Sequence, residues 1–469
     1  MQGSRLIDLF EVLESKEIRE LRKFIRSPFF NHRADVIQLF EWILTQLKIR
    51  NALLTKEAAF QELYPKQTYK PQQIRLVMSL LLKLIERFLI YQESIENESV
   101  QKTYLAKAYR KRKLDKHFLQ TIDELHKKKR KAIIQNGEYY LESYQIEQES
   151  YLFNSLNKRT GEQNLQALFD ALDVSYFAIK IRQACFSIAH QSVYKAKYNI
   201  VLLNEMLAYI KQQDHYINIP AIAIYYHGYL AFTETTESQH FQELKKSLSK
   251  WGDQFPTDEI RDLYLMTINF CIKQLNTGSL YFAQEGLDLY QIGLDQGFLL
   301  DQGVLSRFTY HNITAMALKL KNYKWVEKFL HQYKSKLDKK HRESTFSFNM
   351  ARLAYEQKEY SLALSHLQQS DYKDFLLNIS AKTLALKIYY ELNELNLLDT
   401  HLHTMKMFIQ RKKIIGYHRT NYLNIIRYTQ KMISLNPFDK TERNDLIHKI
   451  KEEEILTERD WFLKELDQF

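Results

Sequence analysis

Glycine occurs 11 times and proline 6 times in 469 residues, against ordinary usage of roughly 7% and 5%. Tight turns and strand punctuation are therefore scarce, and the simplest way to arrange so long a chain with so few breakers is as helices. Pro28, Pro65, Pro71, Pro220, Pro256 and Pro437 all fall between apolar-periodic segments. Further breaks are expected at 135–138, 157–164 and 233–239. The intervals fit helices of roughly 10 to 25 residues. In KEIRELRKFIR, Ile18, Leu21 and Ile25 recur at i, i+3 and i+7 beside Phe24, opposite a face of Lys, Arg and Glu. Alternating patterns of useful strand length are absent, so the expected fold class is all-α.

A hydrophobic content of 45%, with 31 Tyr and 27 Phe, supplies ample core and argues against disorder in the bulk of the chain. The most apolar run, MSLLLKLIERFLIY from Met78, carries Lys83, Glu86 and Arg87 and does not read as a membrane span. The opening MQGSRLIDLFEVLESKEIRE has charges where a signal peptide needs an apolar stretch, so export by that route is not expected. Cys185 and Cys271 stand alone in apolar stretches and read as buried thiols of a reducing compartment, which makes a cytoplasmic location the expectation. The net charge of +11 is uneven. Residues 1–135 hold 27 Lys and Arg against 16 Asp and Glu, and the rest of the chain is balanced at 40 and 40. An anionic partner must therefore be sought at the N-terminal part.

A chain of this length implies two or three domains or an extended repeat array. From about residue 305 a larger period emerges. Segments 310–333, 348–370 and 384–405 each read as helix, short polar turn and second helix, and the turn-end residues Tyr323, Tyr360 and Leu395 are 37 and 35 positions apart. Such a period points to stacked helical hairpins around one continuous core. The middle copy resembles the tetratricopeptide repeat. Met350 and Ala351 fit its large-then-small pair, Ala354 follows one turn on, and Tyr360, Ala363 and Leu367 match the second helix. The flanking copies are degenerate, with Thr314 and Val326 in one and Leu386 and Leu398 in the other. The resemblance covers residues 305–410 and implies a right-handed solenoid. The expected organisation is a basic helical module at 1–135, unphased helical hairpins at 136–304, tetratricopeptide-like repeats at 305–435 and capping helices at 436–469. With its N-terminal SPFFN, the whole is similar to a group of bacterial all-helical proteins with tetratricopeptide-like C-terminal halves, a likeness that implies fold and carries no activity.

Carrying the tetratricopeptide groove positions onto this sequence brings forward His311, Asn312, Lys319, Phe348, Asn349, Arg352, Tyr355, Lys387 and Tyr390. Cations, amides and rings so placed suit a peptide with acidic groups and an apolar anchor. The family's carboxylate clamp is not reproduced, since Ala315 and Thr383 stand where clamp residues could occur. The expected function is a non-enzymatic scaffold or adaptor for a protein or peptide partner.

The alternative is a DNA-binding regulator. Residues 54–89 describe a short helix capped by Thr55, a turn with Pro65 and Pro71, and a longer helix, and they are similar to the helix-turn-helix of bacterial regulators that carry tetratricopeptide-like repeats. Gln72, Arg75, Ser79 and Lys83 share one polar stripe of that longer helix. Two basic runs supply Arg110, Lys111, Arg112 and Lys113, then Lys127, Lys128, Lys129 and Arg130.

No HExxH, paired CxxC, GxSxG or GxxxxGK[ST] occurs, and no catalytic residue, cofactor or metal is expected. His401 and His403 fall on different faces of a helix, and Glu452, Glu453 and Glu454 read as a solvated surface. In KFIRSPFFNHR, Pro28 should end the first helix near Arg26, and Asn31 should cap the next. At least one of Phe29 and Phe30 should then fold under the interhelical turn.

Overall fold

The computed structural model describes residues 1, 3–49, 54–157, 163–193, 196–234, 238–276, 279–369, 372–411, 416–436 and 438–468. Pro437 and parts of the breaks expected at 157–164 and 233–239 lie outside them. The chain is 79% helix, and backbone packing divides it into two compact units, Met1–Lys180 and Ile181–Phe469.

In the first unit, α1 (Arg5–Val12), α2 (Ser15–Arg26), α3 (Ala34–Leu47) and α4 (Lys56–Leu63) all pack on α5 (Pro71–Glu96). Thr55 caps α4 by accepting from the Ala58 amide at 3.1 Å, and Pro71 occupies the first turn of α5, where its missing N–H costs nothing. Ile25, Phe40, Phe60 and Ile85 are fully enclosed at the centre of this bundle. α6 (Glu98–Lys111), α7 (Asp115–Lys131) and α8 (Gly137–Asn157) then close around Phe118, Leu125 and Phe153, with the Phe118 and Phe153 rings stacked at 4.2 Å.

The elbow at 27–33 differs in detail from expectation. α2 does end at Arg26, but Asn31 is not the cap of α3, which begins at Ala34 behind Arg33. The Asn31 amide instead donates to the Ile25 carbonyl at 3.0 Å and the Arg33 carbonyl at 3.1 Å, while its oxygen accepts from the Arg33 amide at 3.0 Å. Satisfying both ends of the turn occupies both amide hydrogens of Asn31 and moves the helix start two residues along the chain. Phe30 stacks on Phe24 at 3.9 Å, whereas Phe29 remains 85% exposed.

α9 (Leu165–Val193) contributes residues to both units. The second unit continues with α10 (Leu203–Gln212), α11 (Asp214–Ile217), α12 (Pro220–Thr233), α13 (Ser238–Trp251), α14 (Thr257–Asn276) and α15 (Tyr281–Asp295). α12, with the sequence PAIAIYYHGYLAFT, is apolar nearly all round and is buried accordingly. A two-residue ladder, β1 (Leu300–Asp301) with β2 (Val304–Leu305), interrupts the helices and was not visible as a strand pattern because it is too short to alternate.

Three hairpins follow: α16 (Arg307–Lys319) with α17 (Tyr323–Tyr333), α18 (Arg342–Glu356) with α19 (Tyr360–Gln368), and α20 (Phe375–Glu391) with α21 (Leu395–Arg411). α22 (Tyr417–Ser434), α23 (Lys440–Glu452) and α24 (Arg459–Leu466) complete the unit. Each hairpin turns through one left-handed residue, at Lys321 (φ 57°), Lys358 (φ 63°) and Asn393 (φ 58°). The following amides, of Asn322, Glu359 and Glu394, return to the Ala317, Ala354 and Tyr389 carbonyls at 3.0, 2.8 and 2.9 Å. The same closing bond recurs with the 37- and 35-residue spacing, so the period resides in the backbone as well as in the side chains. Between α18 and α19, Ala351, Ala354 and Ala363 are buried, and their small size permits the close approach. Consecutive helix pairs thus pack in the manner of a helical repeat.

Candidate functional site

The first helices of the three hairpins share one open cavity of about 680 Å³. α16 contributes Arg307, Phe308, His311 and Lys319, α18 contributes Phe348, Arg352 and Tyr355, and α20 contributes Leu376, Leu377 and Lys387. The far wall is made by Glu458, Asp460 and Trp461 at the start of α24, with Tyr422 of α22. Phe308 is 61% and Leu376 39% exposed, so the floor offers apolar surface to a ligand.

Of the nine groove residues expected from the sequence, His311, Lys319, Phe348, Arg352, Tyr355 and Lys387 line this cavity. The other three are engaged elsewhere. Asn312 donates to the Tyr290 hydroxyl at 3.3 Å, and Tyr390 packs edge-on against Trp461 at 5.4 Å. Asn349 is fully buried, donating to the Thr345 carbonyl and to His311 Nδ1, both at 2.8 Å. Arg307 and Phe308 escaped the sequence reading although they lie one turn before His311 on the same face, so helical spacing would have found them. Glu458 and Trp461 carry no comparable signal.

The cations of the cavity differ in how fully they are used. Lys387 pairs with Glu458 at 3.0 Å and lies between the rings of Tyr355 (4.9 Å) and Trp461 (5.7 Å). Arg307 pairs with Asp374 at 3.1 Å, the same carboxylate that caps α20 through the Leu377 amide at 3.0 Å. Arg352 has no carboxylate within 4 Å among the described residues. Its Nη1 makes only long bonds, 3.4 Å to the His311 carbonyl and 3.5 Å to Asn349 Oδ1. Burial presses its guanidinium below the ordinary arginine value, against the opposing pull of Glu356 and Glu458, and it stays charged.

His311 is held down to about 4, first by burial and then by the Arg352 charge, so it is neutral near pH 7. Because Nδ1 accepts from Asn349, the neutral ring carries its proton on Nε2. His227 is likewise held down to about 4 by burial and by neighbouring His240. Both histidines bind a proton more readily unfolded than folded. Stability is therefore complete above about pH 6.5 and falls as the pH drops toward 4, by about 3 kcal/mol for each histidine. Urea midpoints measured from pH 7 to pH 4.5 should show this loss, and His227→Gln with His311→Gln should flatten it.

In the first unit, Gln72, Arg75, Ser79 and Lys83 are all exposed on one stripe of α5. The basic runs separate into two groups. Arg110 pairs with Glu149 at 2.8 Å, Lys127 with Asp123 at 2.7 Å, Lys128 with Glu98 at 2.6 Å and Lys129 with Glu142 at 2.7 Å. Arg110, Lys128 and Lys129 stitch α6, α7 and α8 together, whereas Lys127 pairs one turn back within α7. Lys111, Arg112, Lys113 and Arg130 are exposed, with no carboxylate within 4 Å among the described residues.

Burial raises the Cys185 thiol and pushes Cys271 up to about 12, which suits inert packing rather than thiolate chemistry. Among the described residues no group of three or more His, Cys, Asp or Glu could hold a metal ion, and no helix is long and apolar enough to cross a membrane. His401 donates from Nε2 to the Lys382 carbonyl at 2.8 Å, and Glu453 accepts from Arg427 at 2.5 Å and from the Tyr428 hydroxyl at 2.9 Å. The fold defines an all-helical protein whose helix pairs stack as in a repeat array. Comparison of the chain with family models, with curated proteins and with solved structures finds no match.

Proposed function

We propose that this chain is a non-enzymatic scaffold, stacked as a right-handed tetratricopeptide-like solenoid in its C-terminal part, and that its groove receives an extended segment of a protein partner. The observation that carries this reading is Arg352, a half-buried guanidinium lining the groove with no carboxylate within 4 Å among the described residues. A cation that has lost much of its water and has no counterion in contact favours an incoming carboxylate, which can bind it in bidentate fashion. Phe308 and Leu376 are apolar neighbours in the same cavity. The preferred segment therefore joins an Asp or Glu to a large apolar side chain. Its carboxylate docks on Arg352 rather than Lys387, because Glu458 already neutralises Lys387.

Selection of displayed random peptides on the immobilised full chain should enrich that pairing. Arg352→Glu should weaken the enriched peptides by about 2 to 4 kcal/mol in fluorescence anisotropy, the scale of a lost buried charge pair. Failure to enrich any peptide, or equal affinity of the variant, would sink the reading.

A further inference from the structure

The groove leaves one exposed surface of the first unit without a role. α5 has its other faces covered by α1 to α4, yet Gln72, Arg75, Leu76, Ser79, Lys83, Arg87 and Ile90 remain open along it. These positions follow helical spacing, so they form a single stripe about 27 Å long. Residues 63–92 contain Lys66, Lys70, Arg75, Lys83 and Arg87 against one acid, Glu86, and that carboxylate is taken by Arg5 at 3.0 Å. Among the described residues no carboxylate lies within 4 Å of Arg75, Lys83 or Arg87. Ion pairs are not scarce in this unit, since Arg110, Lys128 and Lys129 of α6 and α7 are paired across helices. The α5 stripe is thus a place where positive charge accumulates without its counterpart.

We propose that this face of α5 docks duplex DNA, with Arg75, Lys83 and Arg87 on phosphates and Gln72 and Ser79 hydrogen-bonding within the same stripe. The three cations span about 18 Å of helix axis, and a duplex presents a charge every ~1.7 Å of its own axis, so phosphates are available at that span. A single helix ridge also fits the major groove of B-form DNA, about 12 Å wide, but not the deep and narrow one of A-form RNA. A lipid surface fits less well. Leu76 and Ile90, 51% and 68% exposed, are the apolar residues of the stripe and lie about 21 Å apart, too sparse for a continuous inserted face. The inference is independent of the groove reading.

The test is fluorescence anisotropy of the full chain with a labelled mixed-sequence duplex of about 24 base pairs at about 50 mM salt. Saturable binding is expected, weakening about 40-fold when salt rises to about 200 mM, as three released counterions require. Arg75→Glu with Lys83→Glu should weaken it at least about 30-fold. If that variant unfolds, Arg75→Gln with Lys83→Gln should still weaken it about 10-fold. A variant with Lys111→Gln, Arg112→Gln and Lys113→Gln at the α6–α7 turn should stay within about 3-fold of the parent chain. Absence of binding at low salt, full affinity after both α5 substitutions, or an equal loss from the α6–α7 variant would overturn the proposal. Displacement of the duplex by phosphatidylserine vesicles, but not by neutral ones, would also overturn it by reassigning the stripe to membranes.

Discussion

Glu391→Ala is expected to lower the unfolding free energy by about 3 to 5 kcal/mol, the largest effect of any polar substitution near the groove. The Glu391 carboxylate at the end of α20 accepts from the Tyr355 hydroxyl of α18, from the Tyr360 hydroxyl of α19 at 2.6 Å and from the Trp461 indole of α24 at 2.8 Å. Alanine removes the acceptor and leaves three partly or fully buried donors without partners. Each such orphan costs about 1 to 3 kcal/mol, because the donor has given up water and gained nothing. Glu391→Gln keeps one strong acceptor oxygen and should cost roughly half as much. Urea unfolding followed by near-ultraviolet circular dichroism would report both the stability and the loss of the Trp461 environment. A cost for alanine below about 1 kcal/mol would mean that water replaces the carboxylate and that the hub is not a strut. Because Tyr355 and Trp461 line the groove, the same variant should also loosen the site.

Phe270→Ala should be comparably severe, at about 3 to 5 kcal/mol, for an apolar reason. Phe270 lies in α14 with its ring 5.7 Å from Phe232 of α12, 5.2 Å from Phe241 of α13 and 5.4 Å from Phe282 of α15. Phe241 and Phe282 also meet, at 5.2 Å. One side chain therefore fills the space where four helices converge, and removing it leaves a cavity that none of them can close alone. Phe270→Leu retains most of the volume and should cost about 1.5 kcal/mol or less. Chemical denaturation of the two variants separates packing from mere hydrophobicity. Equal losses for Ala and Leu would show that ring geometry, not volume, matters at this junction.

Much of the helical layout was legible because its signals are local. Pro28 and Pro71 mark a helix end and a helix start, Thr55 caps α4, and the alanines at 351, 354 and 363 mark a close hairpin. The elbow shows the limit of such reading. Asn31 has the chemistry of a cap, but its side chain had two competing uses, and the turn back to the Ile25 carbonyl won. Phe29 and Phe30 are identical neighbours in the sequence, yet only Phe30 has Phe24 beneath it.

The basic runs were misleading for a related reason. A count of lysines cannot reveal that Arg110 and Lys129 face Glu149 and Glu142 on another helix, whereas Lys111 to Lys113 do not. Charge density is a property of composition, but free charge depends on what lies opposite.

The sequence by itself determined the helical class, the 37- and 35-residue period and the faces on which His311, Phe348, Arg352 and Lys387 would lie, since each follows from spacing within a few turns of one helix. Only the tertiary structure decided that Glu458, 71 positions beyond Lys387, would neutralise it and that Trp461 would wall the groove, leaving Arg352 with no carboxylate within 4 Å among the described residues. Contacts across such separations arise from how α24 packs on α20 and α22, and no local pattern encodes them.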